Sequence, residues 1–116
     1  MDWFKVDASI WANPKVEDLS DRAYRAMTYV WGYAADRETD GYVPHNIARL
    51  IPRVTPKAIA ELEERGFLER NGNGWHIHDW DLHQPTADDV KRRRELARER
   101  QARRRGKQTN EHQGEN

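Results

Sequence analysis

Asn71-Gly72-Asn73-Gly74 stands between Phe67-Leu68-Glu69-Arg70 and a run from Trp75 to Trp80, and no other stretch constrains this chain as tightly. A two-residue hairpin loop needs positive φ, which Gly adopts without steric cost and Asn tolerates. Aromatic and β-branched neighbours on both sides favour extended backbone. The pattern predicts strand, tight turn, strand.

What precedes the hairpin has helical grammar. Thr55 stands at an N-cap, Pro56 at the first helical position, and Ala58, Ile59 and Leu62 share one face. Gly66 supplies the closing left-handed residue, so a helix is predicted over 56–65. Pro44 can open a second helix, over 45–51, whose stripe is Ile47, Ala48, Leu50 and Ile51 and which must stop before Pro52. Further upstream, Ser20 and Asp21 introduce Ala23, Met27, Val30, Trp31 and Ala34 at helical spacing, giving a helix over 21–36. Glu38-Thr39-Asp40-Gly41 reads as a turn leading to a minimal strand at Tyr42-Val43. Trp3-Phe4-Lys5-Val6-Asp7 reads as an edge strand, after which Asn13-Pro14 interrupts the chain. The glycines at 72 and 74 are both assigned to the hairpin turn.

Composition divides the 116 residues sharply. All five Trp, all four Tyr, both Phe and every Ile lie within residues 1–82, while Val90 and Leu96 are the only large apolar side chains after that. Residues 1–90 carry ten Lys/Arg and sixteen Asp/Glu, a balance of −6. Residues 91–107 carry ten against two, +8, and residues 108–116 carry −2, so the formal net charge is zero. An acidic body with a basic tail points to a polyanion or an acidic partner surface. After Pro85, Thr86 is positioned to cap a last helix over 86–105, with Asp88 and Asp89 in its first turn; 106–116 reads as a disordered tail. No cysteine is present, no apolar run approaches 18 residues, and no secretory signal opens the chain, so a soluble, cytoplasmic protein is expected.

Strand, helix, short strand, two helices joined by a tight turn, and a closing hairpin make the order of an α+β winged helix-turn-helix. The expected organisation is a winged-helix domain over 1–85, a basic helix over 86–105 and the tail. The segments WFKVD, NPKVEDLS, TDGYVP and ELEERGFLERNGNGWHIHDWDLHQPT, followed by an Arg-rich end, resemble a group of small winged-helix proteins of actinobacterial phages and prophages. They are similar to the N-terminal winged-helix domains of phage replisome organisers and DnaD-type replication initiators. The resemblance covers residues 2–85, and GWxIHDWxxxQP is its most specific piece. It implies a role in phage replication initiation or transcription control, in the host cytoplasm and associated with the nucleoid.

In a helix-turn-helix the second helix leads into the major groove with its N-terminal residues. Thr55 and Lys57 occupy that position here, and Glu61 one turn later can accept from cytosine N4. Glu61, Glu63 and Glu64 oppose phosphates on the same helix. The better phosphate contacts are therefore Asn46, Arg49 and Arg53 around the turn, and Arg70, Asn71 and Asn73 at the wing. The densest signal is KRRRELARERQARRRGK, with Lys91, Arg92, Arg93, Arg94, Arg98, Arg100, Arg103, Arg104, Arg105 and Lys107. No apolar face accompanies these cations, which disfavours a membrane surface and favours phosphate contacts released by salt. Double-stranded DNA is the expected partner. A homodimer or a replication or transcription protein is the further one, and an adapter whose winged helix binds protein is the competing reading.

GNGWHIHDWDLHQP raises a separate question, because it gathers His76, His78 and His83 with two aspartates. On a strand, His76 and His78 would share a face and offer two imidazoles to zinc, with His83 or Asp81 as a third ligand. The competing reading makes them ordinary strand residues, with Trp75 and Ile77 turned to the helices and Trp75 and Trp80 locking the junction to the N-terminal strand. No Ser-His-Asp elbow, phosphate-cradling loop or HExxH motif is present, so neither enzymatic activity nor a cofactor is expected.

Overall fold

The computed structural model describes residues 2–114, with side chains throughout except at Ala87 and 107–114. It is α+β with a small three-stranded antiparallel sheet, and it divides into two units between Thr86 and Ala87.

In the first unit, a 3-10 turn (Ala8–Ala12) and a one-turn helix α1 (Pro14–Glu17) precede the long helix α2 (Asp21–Arg37). Strand β1 (Tyr42–Pro44) runs into the single turn α3 (His45–Ala48). Helix α4 (Pro56–Glu64) leads to the hairpin β2 (Leu68–Asn71) and β3 (Gly74–Ile77), and a further turn, α5 (Trp80–His83), follows. Strand β3 is central, with Val43 opposite Trp75 on one side and Arg70 opposite Trp75 on the other.

The caps are those the sequence specifies. Ser20 Oγ accepts from the Ala23 N–H at 3.1 Å and Thr55 Oγ1 from the Ala58 N–H at 3.1 Å, each satisfying an orphan donor of the first turn. Gly66, at φ 81°, ends α4: its N–H reaches Glu63 O and the Phe67 N–H reaches Leu62 O, the paired bonds of a Schellman cap. Helix α2 ends the same way on a non-glycine, Glu38, at φ 55°.

The buried face of α2 is Ala23, Ala26, Met27, Val30 and Ala34, and it meets Ala58, Ile59 and Leu62 of α4 and Val43, Leu68 and Ile77 of the sheet in one core. Small residues on α2 let the helices approach closely, while Leu62, Val30 and Val43 are fully enclosed. Truncating Leu62 to Ala would cost about 2–5 kcal/mol.

Several expectations need correction. Trp3–Asp7 is not a strand; it is an arm whose Lys5 backbone is held by a side chain. The Lys5 N–H donates to Gln84 Oε1 at 2.8 Å, and Gln84 Nε2 donates back to Lys5 O. Asp7 meanwhile turns the chain, accepting from the Ser9 N–H and hydroxyl. Asn13-Pro14 starts α1 rather than merely interrupting, by the same cap-then-proline arrangement as Thr55-Pro56. The helix expected over 45–51 is regular only to Ala48. Pro44 lies outside it, as the last residue of β1.

Gly74 is not a turn residue. It pairs with Pro44, and a Cβ there would lie 2.2 Å from Val43 O, so its role is to let β1 come close. The strand expected through Trp80 ends at Ile77 because Asp79 takes left-handed φ and redirects the chain. Trp80 then packs onto Gly41, where a Cβ would meet its side chain at 2.7 Å. The arm is fastened by Gln84 and by Phe4 set edge-on to Trp31, and Phe4 packs against the core cluster that includes Trp75 and Trp80.

The second unit is the helix α6 (Ala87–Gly114). It continues past residue 105, so the segment 106–114 expected to be disordered has helical backbone; residues 115 and 116 lie outside the described residues.

Candidate nucleic-acid interface

Helix α4 places its side chains by simple rotation of about 100° per residue. With Ala58, Ile59 and Leu62 inward, Pro56, Ala60 and Glu63 lie on the flank nearer the hairpin, and Lys57, Glu61 and Glu64 on the opposite flank. Lys57 is exposed. Glu61 is committed elsewhere: Oε2 accepts from the Ser20 N–H and Oε1 from the Ser20 hydroxyl, both at 2.8 Å. These two bonds stabilise the charged carboxylate and hold its pKa below the ordinary value. Glu61 thus links α4 to the start of α2 through hydrogen bonds within the protein.

The other flank opens onto a recess built by strand register. Because Pro44 faces Gly74, the first residue of α3 lands beside the hairpin, and the His45 N–H donates to Asn73 O at 2.8 Å. The His45 ring stacks on Trp75 at 5.2 Å between centroids and 30° between planes. Arg70, across the β2–β3 ladder from Trp75, holds its guanidinium 5.9 Å from the same ring centroid. Glu63 joins them: Oε1 accepts from Trp75 Nε1 at 2.5 Å and lies 3.5 Å from Arg70 Nη2.

Around this cluster lie two adjoining cavities that share His45, Arg70 and Trp75. One, of about 460 Å³, adds Asn46, Asn73 and the two hairpin glycines. The other, of about 560 Å³, adds Arg49, Pro56, Ile59, Ala60 and Glu63 among its walls. Trp75 is 5% exposed and forms the floor, whereas His45, Asn46, Arg49, Arg70 and Asn73 are exposed around it.

Five of the sequence-predicted positions fall outside this recess. Arg53 is exposed in the turn between α3 and α4 at φ 69°, Asn71 is exposed at the end of β2, and Lys57 is on the far flank. Thr55 is spent on capping and Glu61 on Ser20. Asn46, Arg49, Arg70 and Asn73 are brought together. His45, Trp75 and Glu63 were missed as groove residues, because only the pairing of β1 with β3 sets His45 beside the hairpin, and Trp75 carries the ordinary signature of a core strand residue.

In α6, residues 91–106 are exposed, including Lys91, Arg92, Arg93, Arg94, Arg98, Arg100, Arg103, Arg104 and Arg105; the Lys107 side chain lies outside the described residues. Its apolar side chains make no stripe, so the helix presents cations around its whole circumference.

The histidines do not converge. His76 Nε2 meets Asp40 O at 3.0 Å, and His78 lies between Glu69 at 2.6 Å and Asp79 at 3.0 Å. His83 is on α5 and lines a different cleft, with Val6, Ile10 and Leu82. Among the described residues, no three His, Asp or Glu stand close enough to share a metal ion, and no helix is long and apolar enough to cross a membrane.

Compared with protein-family models, with curated proteins and with solved structures, the chain matches none.

Proposed function

We propose that the first unit is a winged helix-turn-helix, with α3 and α4 as the helix pair and the β2–β3 hairpin as its wing, and that the chain is a non-enzymatic DNA-binding protein. The observation that carries this reading is α6, whose cationic stretch over 91–106 is exposed throughout. Such a density has no packing use, whereas phosphate contacts by Lys and Arg release condensed counterions and bind strongly at low salt. The wing-side recess adds Arg49, Arg70, Asn46 and Asn73 as positioning contacts beside α4. The sequence resemblance directs this activity to phage replication initiation or transcription control.

The test is a fluorescence-anisotropy titration of a labelled duplex with the full chain at several salt concentrations. The logarithm of affinity should fall linearly with the logarithm of salt. Replacing Arg103, Arg104 and Arg105 together by Gln should reduce that slope by about 2–3, at about 0.9 per lost phosphate contact. No binding at low salt, or an unchanged slope in the triple variant, would overturn the reading.

A second reading, a protein adapter, is favoured by exposed apolar side chains: Trp11 is 84% and Leu82 77% exposed. If Trp11→Ser dissolves a dimer seen by sedimentation while Lys57→Ala leaves sequence preference untouched at fixed salt, the adapter reading prevails.

A further inference from the structure

The recess beside Trp75 has a shape that a paired duplex does not fill. Base edges in a duplex lie at the bottom of a groove and are read by elements that protrude into it. Here the buried Trp75 and the exposed His45 and Arg70 line both adjoining cavities, the partly buried Glu63 lines the one beside α4, and Asn46 lines the other. A concave site of this volume is of the size that encloses a small planar ligand. From a nucleic acid, a base outside the stack is a planar group of the size that fits it.

The chemistry of the walls agrees. His45 is exposed while its ring is held against Trp75, so it is a fixed aromatic surface for another ring. Arg70 is aligned over the same indole and offers a planar guanidinium. Unpaired bases are held in this way, by stacking on aromatic and guanidinium planes with their Watson–Crick edges hydrogen-bonded. Glu63 is an acceptor that a base amine satisfies and a base carbonyl repels, whereas the neighbouring Arg70 is a donor for a ring nitrogen or carbonyl oxygen. An acceptor beside a donor matches an edge that carries an amine next to a ring nitrogen, as in cytosine (N4 beside N3) and adenine (N6 beside N1), and not that of thymine. The Glu63–Arg70 contact, with the Arg70 side chain 72% exposed, is of the solvent-screened kind that opens to a ligand at little cost.

We propose that this recess seats a single unpaired nucleotide base, with His45 as its stacking surface, Arg70 donating to its edge, and Glu63 selecting an exocyclic amine such as that of cytosine. The proposal rests on the nucleic-acid reading above, but adds a ligand that duplex binding does not require.

The test uses the full chain and two hairpin oligonucleotides of equal length, one fully paired and one with a single bulged cytosine, at one salt concentration. The bulged probe should bind at least about fivefold more tightly, the low end of what one stacked base contributes. In His45→Ala that ratio should fall towards one. A bulged thymine should bind more weakly than cytosine, and Glu63→Gln should narrow this difference because an amide can donate to the thymine carbonyl. Competition by free deoxycytidine monophosphate would extend the ligand to mononucleotides; an intact bulge preference without competition would confine it to strand-borne bases. Equal binding of bulged and paired probes by the wild type, or an unchanged ratio in His45→Ala, overturns the base seat while leaving duplex binding intact. Binding of neither probe overturns both readings.

Discussion

Replacing Gly74 by Ala tests the geometry on which the recess depends. The added methyl would sit 2.2 Å from Val43 O, 2.9 Å from Pro44 Cα and 3.0 Å from Val43 C, all backbone atoms that no side-chain rotation can remove. Strand β1 would have to retreat by about 0.8 Å before the nearest contact reached the 3.0 Å floor of real Cβ contacts. A shift of that size takes N–H···O distances near 2.9 Å out of hydrogen-bonding range. Each weakened ladder bond costs about 1 kcal/mol and the overpacking itself about 1–3 kcal/mol, so a total near 2–4 kcal/mol is expected. For a unit of this size that lowers Tm by roughly 10–25 °C.

Gly72→Ala is the control. Its φ is 58° but nothing lies within 4 Å of the built Cβ, so only the left-handed penalty of about 1–2 kcal/mol applies. Thermal melting by circular dichroism ranks the two variants, and amide exchange of β1 residues locates the damage. Gly74→Ala should speed exchange at β1 specifically and also loosen His45 from Trp75, because His45 follows β1 directly. A Gly74→Ala protein melting within 2 °C of wild type, or less perturbed than Gly72→Ala, would refute the close β1–β3 approach.

Two further substitutions probe the fasteners. Glu61 has a folded pKa below its usual 4.5 because Ser20 donates two hydrogen bonds to it, so its contribution is complete above the unfolded value and drains away as pH falls through the folded one. Glu61→Gln should therefore lower Tm at pH 7 and converge with wild type towards pH 3; a gap that stays constant from pH 7 to 3 would contradict this. Gln84→Ala removes both bonds to the Lys5 backbone and should cost about 1–3 kcal/mol, with tryptic cleavage after Lys5 accelerated; an unchanged cleavage rate would show that the arm is held by other contacts.

Where local chemistry decides structure, the chain was legible. Ser20 and Thr55 as caps, Gly66 as a terminator and the Asn71–Gly74 turn each act within a few residues, and the ends of α2 and α4 and the turn end of the hairpin lie within a residue of their expected places. What escaped reading depends on partners far along the chain. Trp3–Asp7 has strand-like residues but finds a side-chain amide 79 positions away instead of a strand edge. Gly74 looks like half of a turn until β1 is set against it. Glu61 was read from its helical position as facing outward to DNA, yet its oxygens are taken by Ser20, 41 residues earlier. The site divides in the same way: Arg49, Arg70, Asn46 and Asn73 are visible as surface cations and amides, while His45 and Glu63 gain their meaning only from the fold.

The acidity of α4 counted against DNA binding at the sequence level, and the structure changes the weight of that objection. Of its three carboxylates, Glu61 accepts from Ser20 and Glu63 accepts from Trp75 and lies beside Arg70. Only Glu64 among them is exposed, the other two being half-buried. The body nevertheless keeps its balance of −6 over residues 1–90, so long-range attraction to a polyanion has to come from the +8 of residues 91–107. On the proposed reading, affinity and discrimination reside in different units. Phosphate contacts along α6 would weaken steeply with salt, whereas stacking on His45 and a hydrogen bond to Glu63 would release few counterions. Raising salt should therefore weaken bulged and paired probes together while leaving their ratio nearly constant. A ratio that collapsed in parallel with the affinity would place the discrimination on α6 instead.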